Sequence, residues 1–354
     1  MRFSFTAEQQ LFQRSVRDLL AVECTSKQVR AMSTDPIGRS PERWQKLADL
    51  GVAALTVPEI FGGLGLGPLD WVLVCEEAGY AALPEPLLET VAVATPLLVA
   101  LGSTDLQELW LPKVARGEAL LTVGFDHALH PQSKDTQDQP GLVADAHFAD
   151  LLLLTHKREL HAVAPADAKC TLQPSADGTR RLFHVDWTPT DATRIAGGEK
   201  AVTEIAKAVN RGALATAAAL VGLARRMIEM AVEYAKVRQQ FGQPIGAFQA
   251  VKHHLADAHL AVEFARPVVY HAAYALQRGD SSLHNTHAAL HIAHAKARAS
   301  DAALLAAKKT LQCHGAIGYS YEYDLHLWMK RAWALSAAYG DPASHRTQIA
   351  QTIL

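Results

Sequence analysis

Near the N-terminus apolar side chains recur at helical spacing. Leu11, Phe12, Val16, Leu19 and Leu20 follow Thr6 and Gln9, which stand in the positions of a capping box. Ser40-Pro41-Glu42 predicts a second start, with a cap, a proline in the first turn and an acid at the positive helix end. Trp44, Leu47 and Ala48 form the apolar face of that helix, and Gly51 supplies its stop. A glycine-rich connection, VPEIFGGLGLG, follows at 57–67, and helical spacing resumes over 69–79 with the acidic pair Glu76 and Glu77. Residues 1–117 are thus expected to be helical. After Gly117 the pattern changes: 120–125, 149–155 and 181–185 are short β-favouring runs, and the polar stretches 131–141 and 173–179 read as turns or loops. From about 199 onward helices return. Leu220, Leu223, Met227, Ile228 and Ala231 mark a long amphipathic helix reaching Arg238, Gly242-Gln243-Pro244 breaks it, and further helices are expected near 248–276 and 283–311. The order predicts a mainly α chain with a β insert: an N-terminal helical domain (1–117), a small middle β-sheet or barrel domain (118–195) and a C-terminal four-helix bundle (196–354).

The 354 residues carry 34 Lys+Arg against 36 Asp+Glu. That balance, with no basic block, argues against a nucleic-acid binder. The longest nearly apolar run, 213–224, is shorter than the ~18 residues a membrane span needs. Glu8 interrupts the N-terminus too early for a signal peptide, and Cys24, Cys75, Cys170 and Cys313 form no CxxC pair. The expectation is a soluble, cytoplasmic, multidomain protein.

Two segments carry chemistry. In RQQFGQPIGAFQAVKHHLADA (238–258), Arg238 stands at a helix end, Phe241 offers a flat apolar face, and Gln249 can donate and accept. In QCHGAIGYSYEYDLHLWMKRA (312–332), Gln312 is a hydrogen-bonding group, and Gly315 and Gly318 allow close backbone approach. With LADLGVAALTVPEIFGGLG (47–65), these three motifs resemble, in order, the FAD-dependent acyl-CoA dehydrogenases. The resemblance covers most of both helical regions. It implies a three-domain fold assembling into tetramers, an acyl-CoA substrate, and FAD whose ADP end reaches a neighbouring subunit. On this chain it implies cofactor contacts at Arg238, Phe241, Gln249, Gln312 and Gly315, with electrons passed on to an electron-transfer acceptor.

The family's reaction removes an α-proton with a positioned carboxylate, while the β-hydride goes to the flavin. The two positions the family uses for that base fall here on Tyr339 and Gly212, and neither can act as a carboxylate base. Asp341 is the nearest substitute, and His345 could also accept a proton. The plainer reading of both is a solvated C-terminal turn. Glu204 reaches inward only under a different alignment, and the usual helix arginine falls on Ala213, beside Arg211. The ring-embracing stretches of the middle domain are replaced by TVGFDHALHP (122–131), and HFADLLLLTH (147–156) alone resembles the family there. This asymmetry resembles the shorter, degenerate subunit of heterotetrameric acyl-CoA dehydrogenases of the steroid side-chain type, completed by an unlike full-length partner. A self-sufficient homotetrameric dehydrogenase with an unusual base, and a non-enzymatic structural or regulatory subunit without flavin, remain open.

The chain has 17 histidines, and His284, His287, His291 and His294 share a helical face. No HExxH accompanies them, so solvated or interfacial histidines are expected rather than a metal site. His253 and His254 fit helix packing better than ligation.

Overall fold

The computed structural model describes residues 4–126, 141–278 and 285–353. Its helices are α1 (Ala7–Glu23), α2 (Ser26–Met32), α3 (Pro41–Asp49), α4 (Pro68–Tyr80), α5 (Thr95–Leu101), α6 (Thr104–Ala115), α7 (Gly198–Val237), α8 (Gln249–Arg278), α9 (Asn285–His314), α10 (Leu325–Ala337) and α11 (Pro342–Ile353). The strands are β1 (Leu121–Gly124), β2 (Val143–Ala144), β3 (Leu151–His156), β4 (Glu159–Val163), β5 (Ala168–Gln173), β6 (Leu182–Trp187), β7 (Arg194–Ala196), β8 (Gln239–Gln240) and β9 (Gln243–Pro244). The chain is mostly helical with a small sheet insert, as its patterning predicts. It forms two compact units interleaved in sequence, one of Met1–Arg30, Val72–Leu83 and Thr216–Leu354, the other of Ala31–Trp71 and Pro84–Ala215.

The second unit holds the strands β1–β7. β3 is buried along nearly its whole length, which suits its run of four leucines to the inside of a sheet. It pairs parallel with β1 and antiparallel with β4, which pairs with β7. A second sheet runs β2-β6-β5. Val143, Leu152, Leu154, Val163, Phe183 and Val185 form the β core. Four of these strands, β2, β4, β5 and β7, lie outside the β-favouring runs 120–125, 149–155 and 181–185. The 131–141 loop expected from the sequence lies outside the described residues except for Gly141. The same unit contains a π-helical turn, Leu88–Ala94, that runs straight into α5. Its register pairs Thr95 N–H with the carbonyl of Thr90. One residue on, Pro96 has no N–H to offer Val91, and the Thr56 hydroxyl donates to that carbonyl instead at 2.6 Å.

The first unit is built on helices pressed together at small residues. A Cβ on Gly222 of α7 would run into the Glu76 carbonyl of α4, and one on Gly79 would run into the Ala219 carbonyl. At this crossing Glu76 and Glu77 are each only 1% exposed. Arg17 of α1 grips Glu77 through Nε and Nη2 at 2.9 and 2.7 Å, and Gln13 donates to it at 2.7 Å. Glu76 accepts from Arg225 of α7 and from the Tyr270 hydroxyl of α8, both at 2.6 Å, with Arg266 Nε 3.6 Å away. Burial and the Glu76 carboxylate hold the Tyr270 phenol far above its ordinary pKa.

The turn between α10 and α11 is tied down from three sides. Lys296 of α9, wholly buried, donates to the carbonyls of Ser336 and Gly340 at 2.9 and 3.0 Å and to the Ser300 hydroxyl at 3.4 Å. It thereby satisfies the Ser336 carbonyl, left open at the end of α10, and the Gly340 carbonyl in the turn beyond it. His345 Nε2–H donates to the Tyr339 carbonyl at 3.0 Å. Asp341 caps α11, accepting from the Ser344 N–H at 2.7 Å and its hydroxyl at 2.8 Å. Tyr339 and Gly340 take left-handed backbone angles, φ +54° and +97°.

Two outcomes follow from this packing. Gly222→Val is expected to destabilise the protein by about 3 kcal/mol or more, because the added carbons meet backbone that cannot yield, and urea unfolding measures it. Burial first, and the nearby Lys296 charge second, depress the His345 pKa from 6.5 to about 4. The unfolded chain therefore binds a proton that the folded chain refuses. His345 stabilises the fold fully above about pH 6.5, and up to about 3 kcal/mol is lost as pH falls to about 4. Over that window His345→Gln should flatten the pH dependence of the urea midpoint.

Candidate functional site

The two motifs meet at one end of the first unit. Arg238 follows the last residue of α7, and its backbone is fixed on both sides: its N–H donates to the Tyr234 carbonyl at 2.9 Å, and its carbonyl accepts from Ile245 N–H at 2.8 Å. Its side chain is exposed, and no carboxylate pairs with it among the described residues. β8 and β9 form a hairpin whose two turn residues, Phe241 and Gly242, both have positive φ, +54° and +80°. Such angles match the twist of a two-residue hairpin, yet they are strained for a phenylalanine. The Phe241 ring stands 92% exposed, with Phe248 edge-on at 6.0 Å. Gln249 opens α8 and is exposed.

His314, the last residue of α9, joins this end to the second motif. Its ring stacks on Tyr234 of α7 at 4.6 Å, Nδ1–H donates to the Thr310 carbonyl at 2.7 Å, and Nε2 accepts from the Tyr323 hydroxyl at 3.1 Å. Burial lowers its pKa and favours that neutral tautomer. Gln312 is exposed one turn from the helix end, and Gly315 turns the chain at φ +65° with open space where a side chain would be. Gly318 packs on Leu311 and His314, leaving no room for a larger residue. Lys309 bridges α9 to α8 by reaching His254 at 3.0 Å and Asp257 at 3.1 Å, so His254 packs between helices. Arg238, Phe241, Gln249, Gln312 and Gly315 are thus carried on three helix ends that pack together and leave these groups uncovered.

These groups fit the ADP end of a flavin dinucleotide. A guanidinium with no partner among the described residues suits a diphosphate, an uncovered ring and amides suit the rest, and an unfilled glycine turn lets backbone approach. Sequence reasoning singled out neither His314 nor Tyr234, although the HG step of the second motif was the available signal.

Tyr339 is half-buried in the turn held by Lys296 and His345, and Gly212 is buried within α7 beside buried Ala213. The hydrogen bonds from Ser344 hold the Asp341 carboxylate below its ordinary pKa, which makes it a weak proton acceptor. His345 donates into the turn, and Glu204 pairs with Lys207 at 2.8 Å. Lys296 was not foreseen, since a buried lysine among helical alanines leaves the same trace as a solvated one. Of the histidine face, His284 lies outside the described residues. His291 meets the His271 ring edge-on at 4.4 Å, and among the described residues no three His, Cys, Asp or Glu side chains form a metal cluster. All four cysteines are free thiols, and no described helix is long and apolar enough to cross a membrane.

Known proteins share this design. The profile for the acyl-CoA dehydrogenase N-terminal domain matches residues 6–118, and that for the acyl-CoA dehydrogenase C-terminal domain matches residues 202–354. The chain is 33% identical to the acyl-CoA dehydrogenase IpdE2 of Mycolicibacterium smegmatis over 337 residues, 95% of each chain. Among solved structures, the ChsE4-ChsE5 complex from Mycobacterium tuberculosis matches with a TM-score of 0.87 and 26% identity over 100% of this chain and 99% of that one. Butyryl-CoA dehydrogenase from Megasphaera elsdenii shares the fold over the full length of both chains, with a TM-score of 0.84 and 22% identity. With both helical parts matched and a third of its residues shared with a full-length relative, the chain belongs to the acyl-CoA dehydrogenase family.

Proposed function

We propose that this chain is the base-lacking subunit of an FAD-dependent acyl-CoA dehydrogenase, completed by an unlike full-length partner in a heterotetramer. The observation that carries this reading is the α10–α11 turn. On the family resemblance Tyr339 stands where the carboxylate is expected, and Asp341, two residues on, is spent as the cap of α11. The same bonds weaken it as a base, which counts against a self-sufficient homomeric enzyme. Membership in a family whose solved relatives include a complex of two named chains supports an unlike partner.

In this reading the three-part division 1–117, 118–195 and 196–354 persists, and the C-terminal part supplies the cofactor contacts. Arg238 neutralises the diphosphate, Phe241 covers one face of the cofactor, and Gln249, Gln312 and the Gly315 backbone give hydrogen bonds to its ADP end. The flavin supplies a hydride acceptor for the β-carbon of the acyl-CoA, and the partner chain supplies the carboxylate that takes the α-proton. An electron-transfer acceptor then reoxidises the complex. The substrate class is an acyl-CoA thioester with a bulky, steroid-derived acyl part, and the complex works in the cytoplasm in lipid or steroid catabolism.

Flavin per chain, read by absorbance on the complex purified with its native partner, tests this directly. The expected result is a second chain and half occupancy counted over both chains, with no dehydrogenation by this chain alone. Full occupancy and activity on this chain alone would restore the homomeric reading, and a flavin-free complex would leave a structural subunit. Arg238→Ala should weaken flavin binding roughly tenfold or more, the scale of a lost charge-assisted hydrogen bond, and unchanged occupancy removes the cofactor assignment.

A further inference from the structure

One buried ring joins the segments that carry Arg238 and Gln312. His314 is 4% exposed and closes α9, two residues after Gln312 and one before Gly315. Its ring lies stacked on that of Tyr234 in α7, with centroids 4.6 Å apart and planes 23° from parallel. Tyr234 in turn supplies the carbonyl that accepts the Arg238 N–H at 2.9 Å. A single imidazole is thus covalently part of the Gln312–Gly315 segment and reaches Arg238 through one residue.

The ring has little freedom to turn. Nδ1–H donates to the Thr310 carbonyl at 2.7 Å and Nε2 accepts from the Tyr323 hydroxyl at 3.1 Å, so rotating it breaks one bond or both. The Tyr323 ring lies 4.8 Å from that of His314 and 5.9 Å from that of Tyr234. The end of α7 gains from this support. Lys236, Val237 and Arg238 are all exposed, and helix ends without packing open readily. An arginine on an opening turn must be ordered each time it binds, which weakens binding, whereas one already held is not penalised in that way.

We propose that His314 is a positioning residue, a role that rests on the flavin contact proposed for Arg238. Stacked on Tyr234, its ring holds the last turn of α7 closed and keeps the Arg238 backbone ready for the diphosphate. His314 touches no reacting atom, and its effect on flavin binding passes through Arg238.

Two measurements test it on the full chain, together with any partner that co-purifies. In flavin-free protein, hydrogen exchange at the Arg238 amide should be about tenfold faster in His314→Ala, with the α7 amides around Gly222 unchanged. Equilibrium dialysis of FAD should show about fivefold weaker binding by the same variant. His314→Phe, which keeps a flat ring on Tyr234, should recover most of both losses. Added to Arg238→Ala, His314→Ala should weaken FAD binding by less than about twofold more, since both act on one contact, whereas independent effects would multiply. If circular dichroism shows His314→Ala unfolded, Tyr323→Phe replaces it, removing one bond to the ring, with about a twofold change expected in both readouts. Unchanged exchange at Arg238, or multiplying effects on binding, overturns the positioning role and leaves the flavin contacts standing. Unchanged FAD binding in Arg238→Ala overturns the contacts themselves and this role with them.

Discussion

Glu76 and Glu77 are adjacent carboxylates held at 1% exposure, and the helices of the first unit are arranged around their needs. A buried carboxylate without partners costs several kcal/mol, and removing one partner from a buried pair costs about 3–5 kcal/mol. The partners here arrive on three different helices: Arg17 and Gln13 on α1, Arg225 on α7, and Tyr270 and Arg266 on α8. Rotating or sliding any of these helices breaks a charge-assisted bond in a place water cannot repair. The pair adds little net stability of its own, since desolvation consumes most of the attraction. What it gives is register.

That register reaches the Arg238 end of the first unit through α7. Gly222 lets α7 lie directly on α4, and Arg225, one turn on, locks its rotation. With rotation and height fixed, Tyr234 arrives at the His314 ring, and Arg238 emerges four residues later with its backbone bonded on both sides. The exposed groups of the two motifs need few contacts of their own because the helices beneath them are already placed. Phe241 shows the cost: a left-handed phenylalanine with 92% of its surface in water is poor for folding, which is reason to look for its use in binding.

Much of this was legible in the sequence, and the failures share a cause. Helices announced themselves by period and by caps: Thr6 and Gln9 form both bonds of the capping box, and Ser40 accepts from Arg43 N–H at 3.2 Å. The motif residues were placed correctly at helix ends because glycine and proline mark those ends. The β4 strand was missed because the hairpin before it turns at Lys157 and Arg158, with φ of +47° and +70°, where no Asn-Gly or Asp-Gly signals the turn. The π-helical turn was invisible because its support comes from Thr56, thirty-five residues upstream of the carbonyl it satisfies. Glu76 and Glu77 looked like any charged helix face, since burial is decided by partners far away in sequence.

The α10–α11 turn shows why Asp341 cannot simply move into the place of Tyr339, two residues earlier. Asp341 closes the first turn of α11, and pulling it away would uncap that helix and release the Ser344 N–H and hydroxyl together. Tyr339 and Gly340 already occupy left-handed conformations, and their carbonyls are claimed by His345 and Lys296. Lys296 is a buried cation whose hydrogen bonds to two carbonyls depend on this turn keeping its shape. Any shift that carried Asp341 to the Tyr339 position would strip that cation of partners in a dry interior, at a cost larger than the cap itself. The turn therefore holds its form whether or not its residues do chemistry, and Asp341 stays at the head of α11 as its cap.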